Sequence, residues 1–169
     1  MAVISRGNRG NWTNIKEALN IFGDAYIQEL SKQLLQLDKV ASGKLLRSLD
    51  YKVIQDLEDN FKVIIIAQDY LKFIDSGRKA GKMPPPKSLL SWIEDRRIRF
   101  VNKNGKGFMK KEQTAFIIAR SIGKKGIRPT NILKITLGNV LNLRSKVIAN
   151  GAKLDFEYLV NSIMLDLKQ

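Results

Sequence analysis

Apolar residues recur at intervals of three and four from Trp12 onward: Ile15, Leu19, Phe22, Tyr26, Leu30, Leu34 and Leu37 continue the series. That period places them on one stripe of an amphipathic helix of about 25 residues. Lys16, Glu17, Asp24, Glu29 and Lys32 fall mostly off the stripe. Gly23 lies inside it, where glycine costs about 1 kcal/mol relative to alanine. Residues 1–11 carry Asn, Gly and two arginines without any period, which predicts a flexible N-terminal arm.

The pattern then changes. Ser42-Gly43-Lys44-Leu45-Leu46-Arg47-Ser48 reads as a turn into a short helix that Ser42 can cap. Tyr51 to Leu57 alternates imperfectly, Glu58-Asp59-Asn60 turns the chain, and Phe61 to Ala67 is β-branched and apolar after Lys62. Two such runs around a short polar turn predict an antiparallel hairpin. The unbroken run Val63 to Ala67 further predicts that the second strand is covered on both faces.

Tyr70 to Arg78 suits a helical turn or two ending at Gly77. The Gly81 to Pro86 segment forbids helix, because proline fixes φ and lacks a backbone donor. Pro86 can instead open a helix to Arg97, with Leu89, Leu90, Trp92 and Ile93 on its buried side. Residues 96–111 predict a mobile loop. A helix follows from Lys111 to about Gly123, presenting Ala115, Phe116, Ile118, Ala119 and Ile122. Residues 132–143 fit a helix or a strand, and residues 154–168 are helical by spacing.

Helix, hairpin and further helices predict an α+β fold, with the long N-terminal helix packed on a small antiparallel sheet and flanked by other helices. Residues 12–169 are expected to form one domain. A two-stranded sheet is marginal in water, so the first helix must cover it or a neighbouring subunit must extend it.

Composition narrows the chemistry. Of 169 residues, 44% are hydrophobic and 27% charged, which suits a folded chain with a solvated exterior. Lys and Arg number 30 against 16 Asp and Glu, a net charge of +14. That excess attracts nucleic acid, an acidic membrane surface or an acidic protein, and also favours solubility; it does not choose among them. The chain has no Cys and no His. Disulfides, thiolate catalysis, imidazole triads and the usual zinc ligands are thereby excluded, and the expectation is a protein that is not an enzyme and holds no metal or cofactor. No run approaches the roughly 18 apolar residues that span a bilayer, and the start lacks a secretory core, so synthesis in the cytosol is expected with no membrane partner.

Carboxylates are the remaining acid or base candidates. Asp56, Glu58 and Asp59 cluster at the hairpin turn, where such side chains commonly satisfy turn backbone but could also hold a metal in a nuclease. Ser76 beside Asp75 has no imidazole to activate it, so a helix-ending role is expected. The glycines at 77 and 81, and at 105 and 107, lack the Gly-Lys-Ser/Thr sequence of a phosphate loop. The strongest site-like feature is the basic contact surface Arg96, Arg97, Arg99, Lys103, Lys106, Lys110 and Lys111, with Phe100 and Phe108 interleaved. Aromatic and basic residues together suit a polynucleotide; an acidic protein partner and a plain solvated loop remain equally open.

One longer pattern adds to this. The string from Asp69 to Pro85, Asp-Tyr-Leu-Lys-Phe-Ile-Asp-Ser-Gly-Arg-Lys-Ala-Gly-Lys-Met-Pro-Pro, resembles a motif of tailed-phage minor structural proteins. In that family an aromatic residue and a "Val or Ile, acidic, small, Gly, Arg" string lead into a Gly-Lys-x-Pro-Pro loop, followed by a Trp-containing helix, matched here by Ser91-Trp92-Ile93. Ala115 to Ile122 and Gly126-Ile127-Arg128-Pro129 are similar to a later block, and Ser42 to Ser48 to an upstream "Thr-Gly-x-Leu-x-x-Ser" element with Ser42 in place of Thr. Four blocks occur in order over residues 40–135. The family often has a histidine after the Gly-Arg element; this chain has none, which leaves the neck or another tail position open.

The resemblance implies a virion protein of the tail-completion or neck (head-tail joining) family, a ring-forming homo-oligomer between the head connector or adaptor and the tail terminator or tail tube. It also implies an assembly loop at Asp75, Gly77, Arg78, Gly81, Lys82, Pro84 and Pro85. The alternative is a basic nucleic-acid-binding module, and non-specific DNA contact is compatible with both.

Overall fold

The computed structural model describes residues 12–57 and 60–166, with side chains to residue 161. Residues 1–11, where the N-terminal arm is expected, Glu58, Asp59 and residues 167–169 lie outside the described residues. Helix α1 spans Thr13–Gln36 and α2 Lys44–Arg47, before strands β1 (Asp50–Gln55) and β2 (Phe61–Ile66). Then come α3 (Leu71–Asp75), a 3-10 turn (Pro86–Leu89), α4 (Leu90–Asp95), α5 (Lys111–Lys125) and α6 (Ile132–Asp166). The fold is α+β, with a long N-terminal helix on a two-stranded antiparallel sheet and further helices.

The chain forms two compact units. The first draws on 12–29, 50–65 and 136–166. Here Phe22 and Tyr26 of α1 are buried, as the stripe predicts, and so is Ala18, which lies outside it. Gly23 has a packing reason: a Cβ there would sit 2.8 Å from Cγ of Tyr51 on β1, so the ring lies against bare helix backbone. Trp12 meets Phe61 edge-on, ring centroids 6.3 Å apart. Burial alternates along both strands. Ile64 and Ile66 are 45% and 37% exposed, which corrects the expectation of a strand covered on both faces. A continuous apolar run cannot distinguish a doubly covered strand from one whose outer isoleucines face solvent.

Asp155 of α6 is the principal buried charge of this unit, 2% exposed. Its carboxylate accepts the backbone N–H of Asn14 at 3.2 Å and of Ile15 at 2.8 Å, and the Asn14 side-chain amide at 2.7 Å. It therefore caps the first turn of α1 from another helix. Gly151, one turn earlier on α6, allows the approach: a Cβ would meet the Asn14 carbonyl at 2.7 Å.

The second unit draws on 30–49 and 66–135. Leu30, Leu34, Leu45, Leu71, Ile93, Ala115, Ala119 and Ile132 are buried in it. Helix α5 packs on the 3-10 turn and on α4. Trp92, expected on the buried side of α4, is 40% exposed, whereas Ile93 is 1% exposed. A helix of six residues turns only one side to its neighbours. Phe116 likewise faces outward at 49% exposure, because Ala115 and Ala119 form the close face of α5. Residues 132–143, open to helix or strand, are helix, continuous through Gly138 and Gly151 to Asp166.

Candidate interaction surface

Two of the sequence blocks singled out above meet in space. Arg78 and Ile127 exchange backbone hydrogen bonds at 2.9 and 2.8 Å as an antiparallel bridge. Gly77, at φ 69°, and Gly126, at φ 72°, flank this bridge in left-handed backbone. A Cβ on Gly77 would lie 2.7 Å from the Pro129 nitrogen, and one on Gly126 would lie 2.9 Å from the Ala80 nitrogen. Only glycine fits either place. Asp75 ties the next turn: its carbonyl accepts the N–H groups of Thr130 and Asn131 at 2.9 Å, and its carboxylate accepts Leu133 N–H at 2.9 Å, at the start of α6. Gly81 N–H donates to the Gly123 carbonyl at 2.7 Å, and the Arg78 guanidinium donates to the Lys82 carbonyl at 2.8 Å. Of the assembly-loop residues, Gly77 and Pro84 are buried, Asp75 and Arg78 half-buried, and Gly81, Lys82 and Pro85 exposed. The loop is thus braced from beneath and presents its tip.

The basic segment is more ordered than a mobile loop. Val101 and Phe108 pair as an antiparallel bridge, Met109 N–H donates to the Phe100 carbonyl at 2.7 Å, and Asn102 N–H donates to the Gly107 carbonyl at 3.1 Å. The Asn102 amide donates across the turn to the Lys106 carbonyl at 3.0 Å. Gly105 and Gly107, both at φ 70°, make the tight reversal. Alternation is too short here to signal a strand, but Asn and two glycines in this spacing were the available hint.

The seven basic residues divide by role. Arg96 is turned inward, its guanidinium donating to the Asp38 carboxylate at 2.7 Å and also to the Asp38 carbonyl. Lys111 pairs with Glu94. Arg99 lies over the Phe108 ring, 5.5 Å from its centroid. Arg97, Lys103, Lys106 and Lys110 are exposed. Between α4, the hairpin and the start of α5 lies an open cleft of about 420 Å³ whose lining includes Arg97, Arg99, Phe108, Lys110, Lys111 and Thr114.

Of the acidic candidates, Asp56 has structural employment; Glu58 and Asp59 lie outside the described residues. Asp56 accepts the Asn60 backbone N–H at 2.9 Å and its amide at 3.1 Å, closing the β-hairpin turn, and stands 3.6 Å from the Lys62 ammonium. Ser76 donates to the Lys72 carbonyl at 2.6 Å and so ends α3. No group of three or more metal-ligating side chains occurs among the described residues. No helix of the described residues is long and apolar enough to cross a membrane. Asp155 and Thr114 were not singled out by sequence: each occupies an ordinary helical position, and only the packing gives it significance.

No protein-family model matches the chain, and neither the curated proteins nor the solved structures yield a match.

Proposed function

We propose that the chain is a non-catalytic subunit of a virion assembly of the neck or tail-completion kind that its sequence resembles. It forms a ring with copies of itself and joins a head connector or adaptor to the tail terminator or tail tube. The observation that carries this reading is the Arg78–Ile127 bridge with its flanking glycines. It joins two motif blocks far apart in sequence and holds the Gly81-to-Pro85 tip in a fixed shape. A preorganised tip loses little entropy on docking. Large apolar side chains left at the surface add support: Leu143 is 77% exposed, and Phe156 and Tyr158 are each 61% exposed, on the 35-residue α6. Such residues are the ones that partner subunits bury.

Velocity sedimentation of the full chain, with electron microscopy of the same sample, tests this. The expected result is a discrete oligomer with a central opening, and inclusion of the protein in virus particles. A monomer at every concentration that is also absent from particles overturns it. The second reading, a basic nucleic-acid-binding module, is favoured by the ordered basic hairpin and its exposed Phe108.

A further inference from the structure

The cleft beside α5 brings a helix N-terminus, several cations and a buried hydroxyl together. Helix α5 begins at Lys111; the Gln113 side chain accepts the N–H of the preceding Lys110 at 3.2 Å, but the Lys110 ammonium has no lone pair with which to cap the N–H groups of the first turn. The first N–H groups of a helix have no carbonyl partner within it, and its N-terminus carries partial positive charge. Carboxylates normally collect there. Here Arg97, Arg99, Lys110 and Lys111 outnumber the carboxylates, Glu112 in the first turn and Glu94 on the cleft wall, the latter already paired with Lys111. Cations in excess at the positive end of a helix repel one another, and an added anion relieves that repulsion.

A second, independent observation points the same way. Thr114 lines the cleft at 1% exposure, and its Oγ1 has no hydrogen-bond partner among the described residues. The hydroxyl does not take the Lys110 carbonyl four residues back, the bond that Ser76 makes with Lys72 at the end of α3. Phe108, 58% exposed on the cleft wall and held by Arg99, offers an aromatic face next to the cations. We propose that this cleft binds a phosphate group of single-stranded nucleic acid through Arg97, Arg99, Lys110 and the Thr114 hydroxyl, with the adjoining base stacked on Phe108.

The site deepens the nucleic-acid reading and is independent of ring formation: a ring could lack it and a monomer could carry it. The test is fluorescence anisotropy of the full chain with a labelled oligothymidine, with inorganic phosphate as competitor. Thr114→Val keeps the shape and removes only the hydroxyl, so it is expected to weaken binding about tenfold while leaving the thermal midpoint equal or higher, since a buried hydroxyl without a partner is removed. Arg97→Gln with Arg99→Gln weakens it further, and Phe108→Ala weakens the oligonucleotide but not phosphate. The charge-matched control is Lys124→Gln with Lys125→Gln at the far end of α5, expected to change affinity less than threefold. Equal loss in the control and in the arginine pair overturns the site in favour of the general positive field. Binding unchanged by Thr114→Val overturns the role of the hydroxyl. Phosphate binding without oligonucleotide binding overturns the nucleic-acid source.

Discussion

The Asp155 carboxylate accepts the Ile15 backbone N–H at 2.8 Å, so that a residue of α6 closes the first turn of α1 across 140 positions of sequence. Burial alone would raise its pKa; the hydrogen bonds from Ile15 and Asn14 and the charge of Lys16 outweigh it and hold the carboxyl below its ordinary value. A carboxylate depressed in the folded state stabilises the fold above its unfolded pKa, and that stability is lost as pH falls through the folded value. Asp155→Ala leaves three donors without an acceptor and is expected to cost about 2 kcal/mol at pH 7. Asp155→Asn should cost less and flatten the acid limb of stability against pH. Urea unfolding between pH 7 and pH 3 measures both; an unchanged acid limb in Asp155→Asn would assign the acid sensitivity to other carboxylates.

The same substitution at two points of α6 should have opposite signs. Gly138 is exposed with open space around its Cβ position, so Gly138→Ala should stabilise by about 0.5–1 kcal/mol through helix propensity alone. Gly151→Ala drives a methyl to 2.7 Å from the Asn14 carbonyl, where α1 is capped, and should destabilise by more than that gain. Paired thermal melts of the two variants compare them directly.

These residues also show what the sequence could and could not carry. Phe22, Tyr26, Leu30 and Leu34 were legible because a buried stripe repeats with the helical period, whatever lies opposite. Gly151 and Asp155 were not, because their role depends on Asn14, a distant partner that no local pattern encodes. Ile64 and Trp92 were read as buried from apolarity, yet among the described residues the outer side of the thin sheet and of the six-residue helix is partly exposed. In the candidate surface, the charge of residues 96–111 was plain. Its division into an inward Arg96, a stacked Arg99 and a helix start lined by Thr114 required the backbone path.

Gly77 of the assembly loop and Gly126 of the segment facing it are expected to be the least replaceable glycines there. Alanine at either must take a positive φ and also collide with backbone of the facing segment. Each should cost about 3 kcal/mol or more, well above the strain of about 1 kcal/mol for a non-glycine residue in left-handed backbone with space around it. Gly105→Ala, where nothing lies within 4 Å, measures that strain alone. Amide exchange at Arg78 and Ile127 should rise in Gly126→Ala and stay unchanged in Gly105→Ala.

The Tyr51 hydroxyl ionises above its ordinary value, because burial, the hydrogen bond to Asp24 and the nearby charges of Asp24 and Asp50 all oppose a phenolate. A raised folded pKa gives stability that is present below the unfolded pKa and lost as pH rises through the folded one. Tyr51→Phe removes the hydrogen bond, costing about 1 kcal/mol at neutral pH, and removes this residue's share of the alkaline loss. Denaturation at pH 7 and pH 11 reads both effects.

Arg96 and Arg97 are neighbours with different employment, and one experiment separates them. Arg96 holds Asp38, a non-glycine residue at φ 50° just beyond the end of α1, through two donors. Arg97 is exposed on the cleft. Arg96→Gln should therefore lower stability by about 1–2 kcal/mol, as the loss of a charged hydrogen-bonding group does, and leave the salt dependence of oligonucleotide binding as it was. Arg97→Gln should do the reverse, reducing the slope of log K against log salt by about 0.7, the share of one phosphate contact on a single strand. Urea unfolding and anisotropy titrations across a salt series measure the two quantities independently. If the slope falls equally in both variants, the basic segment acts through its summed charge and the division of roles between these arginines is wrong.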